Sequence, residues 1–539
     1  MTAGPPPESM AVRFFRRIVM PVGLLVFAPP FTMMLWYTLT ELDGSVVRLY
    51  ELLRDRGPLT GVWEVWGPRA LGSPEAWTIL GVMAAVQLVF MRVLPGKRFE
   101  GPITPQGHVP VYKANGVPAF VLTLALYAVA SWGFGWFAPS ILYDRFGELL
   151  GASNTFAMLF CVVLYLKGRF APSGPDVTVT GNVAFDYFQG TELYPRILGW
   201  DVKTFTNCRM GMMGWPLLII SYAAKQQELG GLTDGMIVAV GLQLIYIAKF
   251  FYWETGYWRS LDIMHDRAGF YICWGCLVWL PIVYTSHTIY LVEHPATLGL
   301  PLAILVFAVG VAAIVINYLA DEQRQRVRAT NGKTTVWGRK PQLIHATYRT
   351  EKGEEKQSLL LVSGWWSLSR HFHYVPEITA AICWSFPVLF AHVLPWFYVI
   401  FLTILLTDRA GRDERRCREV QGCWDGHKSR VRWRIVPGSA SAVASPRSDP
   451  PQLLSAAGQR PPRLDELFCV GDAPKQDARP RAAPVSRTMS LADRTPSRSR
   501  MSACCSDLVW SVRGTWRWGA FGARSAAHRP WRSRRRYGG

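Results

Sequence analysis

Long apolar runs separated by short polar connectors set the plan of this chain. The first run, residues 18–39, follows a basic cluster of Arg13, Arg16 and Arg17. It is too long for the apolar core of a cleaved signal peptide and has no small-residue cleavage site. It therefore reads as a first membrane span with a cytoplasmic N-terminus. Further runs predict spans near residues 77–93, 118–143, 152–166, 210–224, 236–253, 270–292 and 298–318. The stretch 378–407 is apolar but interrupted by Pro387 and Pro395, which predicts one kinked span or two short ones. Runs of roughly 15–25 residues suit a hydrocarbon core about 30 Å thick. The predicted fold is all-α, a polytopic transmembrane bundle of about nine or ten spans.

Composition supports this plan. Half of the 539 residues are hydrophobic and 23 are Trp, yet the chain holds 58 Lys and Arg, so apolar and basic residues must be segregated. The net charge of +20 is unevenly spread. From Ser439 onward there are 18 Lys and Arg against 7 Asp and Glu, so +11 of it sits in the last hundred residues or so. That tail is rich in Ser, Ala, Pro, Arg and Gly without periodicity, a disordered composition. The expected division is a membrane domain over residues 1–438 and a tail over 439–539, either a disordered extension or translated non-coding sequence. Nucleic-acid binding is not expected of it.

The familiar soluble chemistries are excluded one by one. Gly133-Phe-Gly-Trp-Phe-Ala138 fits a dinucleotide fingerprint, but it lies in an apolar run with Pro139 behind it and no strand before it. There is no Walker motif, no Gly-x-Ser-x-Gly and no His-Glu-x-x-His. Cys273-Trp-Gly-Cys276 has no second pair, and His371-x-His373 has no third ligand in view, so no metal site is expected. No Asn-x-Ser/Thr acceptor occurs.

Two polar constellations remain. Trp365 and Trp366 are followed by Arg370, His371, His373 and Tyr374, between two apolar runs. That many polar groups at the edge of a membrane need partners and mark a functional site. Just upstream, Arg324 and Arg328 are four residues apart, on one face of any helix continuing the preceding span. Two guanidinium groups so placed suit a phosphate, or simply follow from positive-inside topology. The second constellation is Glu254, Asp262, His265 and Asp266, ahead of an aromatic-rich run with Tyr271, Trp274, Trp279 and Tyr284.

These stretches resemble the sterol reductase family of the endoplasmic reticulum, nearest its Δ7-reductase branch of plant and algal type. The resemblance rests on Gly190-Thr-Glu-Leu-Tyr-Pro-Arg196, Asp262-Ile-Met-His-Asp-Arg-Ala-Gly-Phe-Tyr271, Thr330-Asn-Gly-Lys333, Trp337-Gly-Arg339, the stretch from Leu359 to Pro376, and Arg412-Asp-Glu414, in the family's order. It implies a multi-pass membrane enzyme of late sterol synthesis with NADPH as cofactor. Arg324 and Arg328 would take the 2′-phosphate, with Leu361, Trp366, His373, Tyr374, Asp413 and Cys417 along the cofactor. An isolated sterol double bond is not electrophilic, so proton addition at carbon 8 of a 5,7-diene must accompany hydride delivery to carbon 7. This calls for a general acid beside aromatic faces. Tyr271, Asp266, His265 and Tyr284 are the candidates. A Δ14-reductase and a non-catalytic sterol-binding or scaffold protein are the alternatives. The chain departs from the family at Gln421-Gly-Cys-Trp424, where Gln421 and His427 stand near positions the family gives to tyrosine.

Overall fold

The computed structural model of the protein describes residues 10–104, 106–349, 355–419 and 424–438. The expected tail, residues 439–539, and the departure at Gln421 lie outside the described residues, as does the side chain of Cys417. Ten helical elements carry the fold. They are α1 (Met10–Glu41), α2 (Pro74–Val93), α3 (Gly116–Gly133), α4 (Phe146–Phe170), α5 (Met212–Leu229), α6 (Asp234–Tyr252), α7 (Phe270–Glu293), α8 (Leu300–Ala329), α9 (Tyr374–Ser385) and α10 (Phe397–Glu419). Among the described residues, eight helices are long and apolar enough to cross a membrane; α5 and α9 are the two elements outside that set. The protein is a multi-pass helical membrane protein, as the apolar runs predict.

Differences from the prediction have local causes. The run at 378–407 resolves into two elements, because Pro387 and Pro395 each start a short tight turn between α9 and α10. The run at 118–143 stops at Gly133, where Gly135 takes a positive φ of 64° and Pro139 follows. α5 is preceded by a wide-turn helix, Thr204–Gly211, which is polar in sequence and wholly buried. It lies on the wide-turn start of α7, Phe270–Trp279. Asn207 Nδ2 reaches Cys276 Sγ at 3.2 Å, and a Cβ on Gly211 would meet Cys276 O at 2.7 Å. Cys273 and Cys276 thus serve helix packing. No group of three or more His, Cys, Asp or Glu suited to a metal occurs among the described residues.

Burial orders the bundle. Of its most apolar stretch, 94% of α7 is buried against 11% of α2, so α7 is central and α2 faces lipid. Fully buried aromatics fill the centre, including Trp215, Trp274, Trp384, Tyr222, Tyr246, Tyr284 and Tyr398.

One end of the bundle gathers the polar connectors. Asn182 Nδ2 donates to Arg17 O (3.1 Å), and Gly116 N donates to Glu254 Oε2 (2.7 Å). Lys203 Nζ donates to the carbonyls of Asp262, Ile263 and Asp266 at 3.1, 2.7 and 2.6 Å. Arg409 pairs with Asp262 at 3.4 Å, and Asn317 Nδ2 donates to His373 O (2.9 Å). The starts of α1, α3, α5, α7 and α9 therefore share a face with the ends of the even-numbered helices. Three short antiparallel pairs lie among these connectors: β1 (Lys97–Glu100) with β2 (Val111–Ala114), β3 (Arg196–Ile197) with β4 (Trp200–Asp201), and β5 (Leu343–Arg349) with β6 (Glu355–Leu361).

Candidate active site

The motif-bearing connectors lock together through backbone. Gly190 has φ +87°, and a Cβ there would come within 2.5 Å of the Ala268 carbonyl carbon. Ala268 N in turn donates to Glu192 O (3.0 Å). The first motif block is thereby docked on the loop that carries His265 and Asp266.

Six of the eight residues expected along a cofactor converge at the end of α8. The Arg324 guanidinium lies 4.3 Å from the Trp366 ring centroid and pairs with Asp321 at 3.1 Å. Arg328 Nε faces Leu359 O at 3.4 Å. Trp366 is buried, and its Nε1 donates to Ala320 O (2.8 Å). Leu361 closes β6 and packs with Val327, Val336 and Trp366. Gly364 makes this approach possible. It sits at φ +64°, and a Cβ there would meet the Gln323 side-chain oxygen at 2.3 Å. That same oxygen accepts from Trp365 N (3.0 Å).

His373 and Tyr374 complete the cluster. Their ring centroids are 4.1 Å apart, and His373 is 5.0 Å from Trp366. Burial, reinforced by Arg324, His371, Arg409 and Lys249, pushes the His373 imidazole well below its ordinary pKa, so the ring is neutral at pH 7. Its Nδ1 is buried with no hydrogen-bond partner among the described residues. Asp413 stands on α10, near Glu414 of the Arg370 clamp. Arg370 donates to Glu414 Oε1 through Nε (2.9 Å) and Nη2 (2.5 Å), and through Nη1 to the carbonyls of Val431 (2.8 Å) and Arg432 (2.9 Å).

The candidate proton donors fall into two groups. Tyr284 is fully buried, its ring 5.2 Å from Trp215 and 4.9 Å from Tyr398. Tyr271 packs 5.9 Å from Phe188. Tyr271 and Tyr284 both lie within electrostatic reach of Asp262 and Arg409. His265 and Asp266 are only half buried, and the Asp266 carbonyl is taken by Lys203. The buried Asp262–Arg409 pair ties α10 to the loop that leads into α7, the helix carrying both tyrosines.

Sequence reasoning missed three links of this network. Tyr246 OH donates to the buried Glu377 at 2.6 Å. Lys249 Nζ donates to Asn317 Oδ1 (2.5 Å), which ties α6 to the carbonyl of His373 through Asn317. Arg409 holds Asp262. The available signal was an ionisable residue inside or against an apolar run, as Lys249 and Glu377 both are.

Fold and cluster together define a polytopic helical membrane protein with buried cationic and aromatic side chains gathered at one end of its spans. The ergosterol biosynthesis ERG4/ERG24 family model matches residues 50–439, and the chain belongs to that family. It is 51% identical over 420 residues to an Arabidopsis thaliana 7-dehydrocholesterol reductase, covering 77% of this chain and 96% of that protein. A Xenopus laevis protein of the same name is 34% identical over 435 residues, 77% of this chain and 91% of the relative. A Delta(14)-sterol reductase of Methylotuvimicrobium alcaliphilum is 35% identical over 420 residues, 77% of this chain and 93% of its own length.

Proposed function

We propose that the protein reduces the carbon 7–8 double bond of 5,7-diene sterols with NADPH, as a multi-pass enzyme of the endoplasmic reticulum membrane. The observation that carries this reading is 51% identity to the plant relative over nearly its whole length, with the matching cluster assembled in the fold. The connectors of the polar face carry Lys97, Arg98, Lys113, Arg196, Lys203, Lys333, Arg339 and Lys340, so we place it in the cytosol.

The residues at the end of α8 suit the cofactor. Arg324 and Arg328 offer two guanidinium groups for a phosphate, Trp366 and Tyr374 offer aromatic faces, and the buried Nδ1 of His373, without a hydrogen-bond partner among the described residues, offers a polar contact. NADPH supplies a hydride when bound. The chain's part is to orient that group, exclude water and deliver a proton. Tyr284 and Tyr271 are the donors we favour, because both lie on α7 among aromatic rings and α7 follows the loop held by the Asp262–Arg409 pair. Removing a general acid typically lowers the rate by about 10²–10⁴. The phenol that donates is the one whose Phe variant loses that much kcat with substrate affinity retained.

Expression in yeast, which accumulates a 5,7-diene sterol, tests the function by gas chromatography–mass spectrometry of extracted sterols. Loss of the 5,7-diene in favour of Δ5 sterols is expected. An unchanged profile from membrane-inserted protein refutes Δ7 reduction, and rescue of a Δ14-reductase-deficient strain alone would favour the reaction named for the bacterial relative. Equal activity from residues 1–438 and the full chain is expected if 1–438 is the whole catalytic domain.

A further inference from the structure

A cavity lies on the same face of the bundle, in the N-terminal half and lined by none of the α8–α9 cluster. It has a volume of about 440 Å³ and sits between the end of α2, the β1–β2 hairpin and the β3–β4 turn. Five of its fifteen lining residues are cationic and one, Asp201, is acidic. Asp201 is engaged as a backbone acceptor, its Oδ1 receiving Thr204 N (2.8 Å). Of the cations, Arg98 pairs with Glu100 and Arg209 with Glu254. Arg92, Lys113 and Arg196 meet no carboxylate within ion-pair distance among the described residues. Their recorded contacts are the Trp200 ring for Arg92, the Arg92 carbonyl for Lys113 and the Val111 carbonyl for Arg196.

The cavity wall also holds buried polar atoms without partners. Arg209 is 0% exposed, yet its Nε and Nη1 have no hydrogen-bond partner among the described residues. Tyr112 is buried, and its hydroxyl is likewise unpartnered. A buried guanidinium with two unmet N–H groups is costly unless something fills the site. Three cations without a carboxylate partner among the residues that line one cavity describe a receptor for an anion with several acceptor oxygens.

We propose that this cavity binds a phosphate-bearing anion, with the headgroup of an anionic phospholipid as its natural source. The position favours lipid. α2 faces the bilayer, and its last turns expose Val89 and Val93 (54% and 70%) directly below Arg92. Acyl chains laid along that apolar flank would bring a headgroup to Arg92, Lys113 and Arg196. Trp200, whose Nε1 donates to Leu88 O (3.0 Å), caps the same turn as an interfacial aromatic would.

The test uses the full-length protein in maltoside detergent, with the apparent Tm read from tryptophan fluorescence. Dioleoyl phosphatidic acid, dioleoyl phosphatidylcholine and inorganic phosphate are titrated separately. Phosphatidic acid is expected to raise Tm saturably, and phosphatidylcholine much less. Because Arg92 and Lys113 are exposed, the variant R92Q/K113Q should fold and bind phosphatidic acid about tenfold more weakly, a loss of about 1.4 kcal/mol. R54Q/R56Q removes the same charge from helix Val46–Arg56 on the opposite side and should bind as the parent does. Saturable stabilisation by inorganic phosphate as well would support the site and make free phosphate a second source; inertness of phosphate beside active phosphatidic acid would support lipid alone. The proposal is overturned if neither anion shifts Tm, if phosphatidylcholine matches phosphatidic acid, or if the two variants lose affinity equally.

Discussion

Replacing Arg370 with Met should release the C-terminal segment from the site. Arg370 is buried and makes four hydrogen bonds: two to Glu414, and one each to the carbonyls of Val431 and Arg432. Its own backbone N–H and that of His371 bond Trp433 O (3.0 Å) and Arg434 O (2.9 Å), so one side chain and two amides hold residues 431–434. Removing one partner of a buried pair costs about 3–5 kcal/mol. Arg434 still approaches Glu414 Oε2 at 3.7 Å and partly compensates its charge, which argues for the lower end. About 3 kcal/mol is a factor of roughly 150 in a local opening equilibrium. Hydrogen exchange followed by mass spectrometry on peptides spanning 365–374 and 424–438 should show that loss of protection, while peptides of α7 stay unchanged. Glu414→Gln keeps an acceptor but removes the charge and should cost less. The double variant should cost less than the sum of the two, with a coupling of about 2 kcal/mol. Exchange in Arg370→Met within threefold of the parent would refute the reasoning and leave packing by Trp424 and Val431 as what holds the segment.

Other expectations follow from the same geometry. Arg324→Ala/Arg328→Ala should raise the KM for NADPH about 100-fold or more and leave that for NADH nearly unchanged in steady-state assays, since charge-assisted bonds to a 2′-phosphate contribute about 1.5–3 kcal/mol each. Gly364→Ala should destabilise the β6–α9 connection by about 1–3 kcal/mol, seen as faster exchange there, because φ is +64° and the Gln323 amide occupies the Cβ position. Burial, aided by Arg370, Arg434 and His427 and opposed by Glu414, holds His371 down to about 3. The unfolded state takes up that proton first, so local stability should fall as pH drops from 6.5 towards 3 and stay flat above 6.5. His371→Phe, which keeps a ring against Tyr374, should flatten the acid limb in a pH series of thermal melts.

The membrane plan was readable because its signal is one-dimensional. A span needs a continuous apolar run, and a run is visible without knowing any partner. Pro387 and Pro395 showed where 378–407 would break, though not that two separate helices would result. The polar start of α5 was invisible for the opposite reason. Thr204 to Arg209 has no apolar pattern, and its burial depends on Cys273, Cys276 and Glu254, which are nearly fifty or more positions away. The α8–α9 cluster was legible because its members lie in two short stretches and carry the family's motifs. Glu377 and Tyr246 are 131 positions apart, and Asp262 and Arg409 are 147 apart, so no local reading pairs them.

The Asp262–Arg409 pair joins the connector that carries the second constellation to α10. Both side chains are at most 3% exposed and 3.4 Å apart. A buried pair of that kind adds little net stability over apolar residues of similar size, since desolvation offsets the attraction. Its value is positional. Asp262 lies in the short helix Leu261–Met264, whose carbonyls are also fixed by Lys203, just before the wide-turn helix that leads into α5. Arg409 lies on α10, one turn before Asp413. The pair therefore fixes α10 against the loop leading into α7, the helix that carries Tyr271 and Tyr284. Under the proposed reaction, two groups act on adjacent carbons of one rigid ring system, one giving hydride and one giving a proton, and they need a constant separation. A charged strut that only one geometry satisfies supplies it where apolar packing would allow sliding.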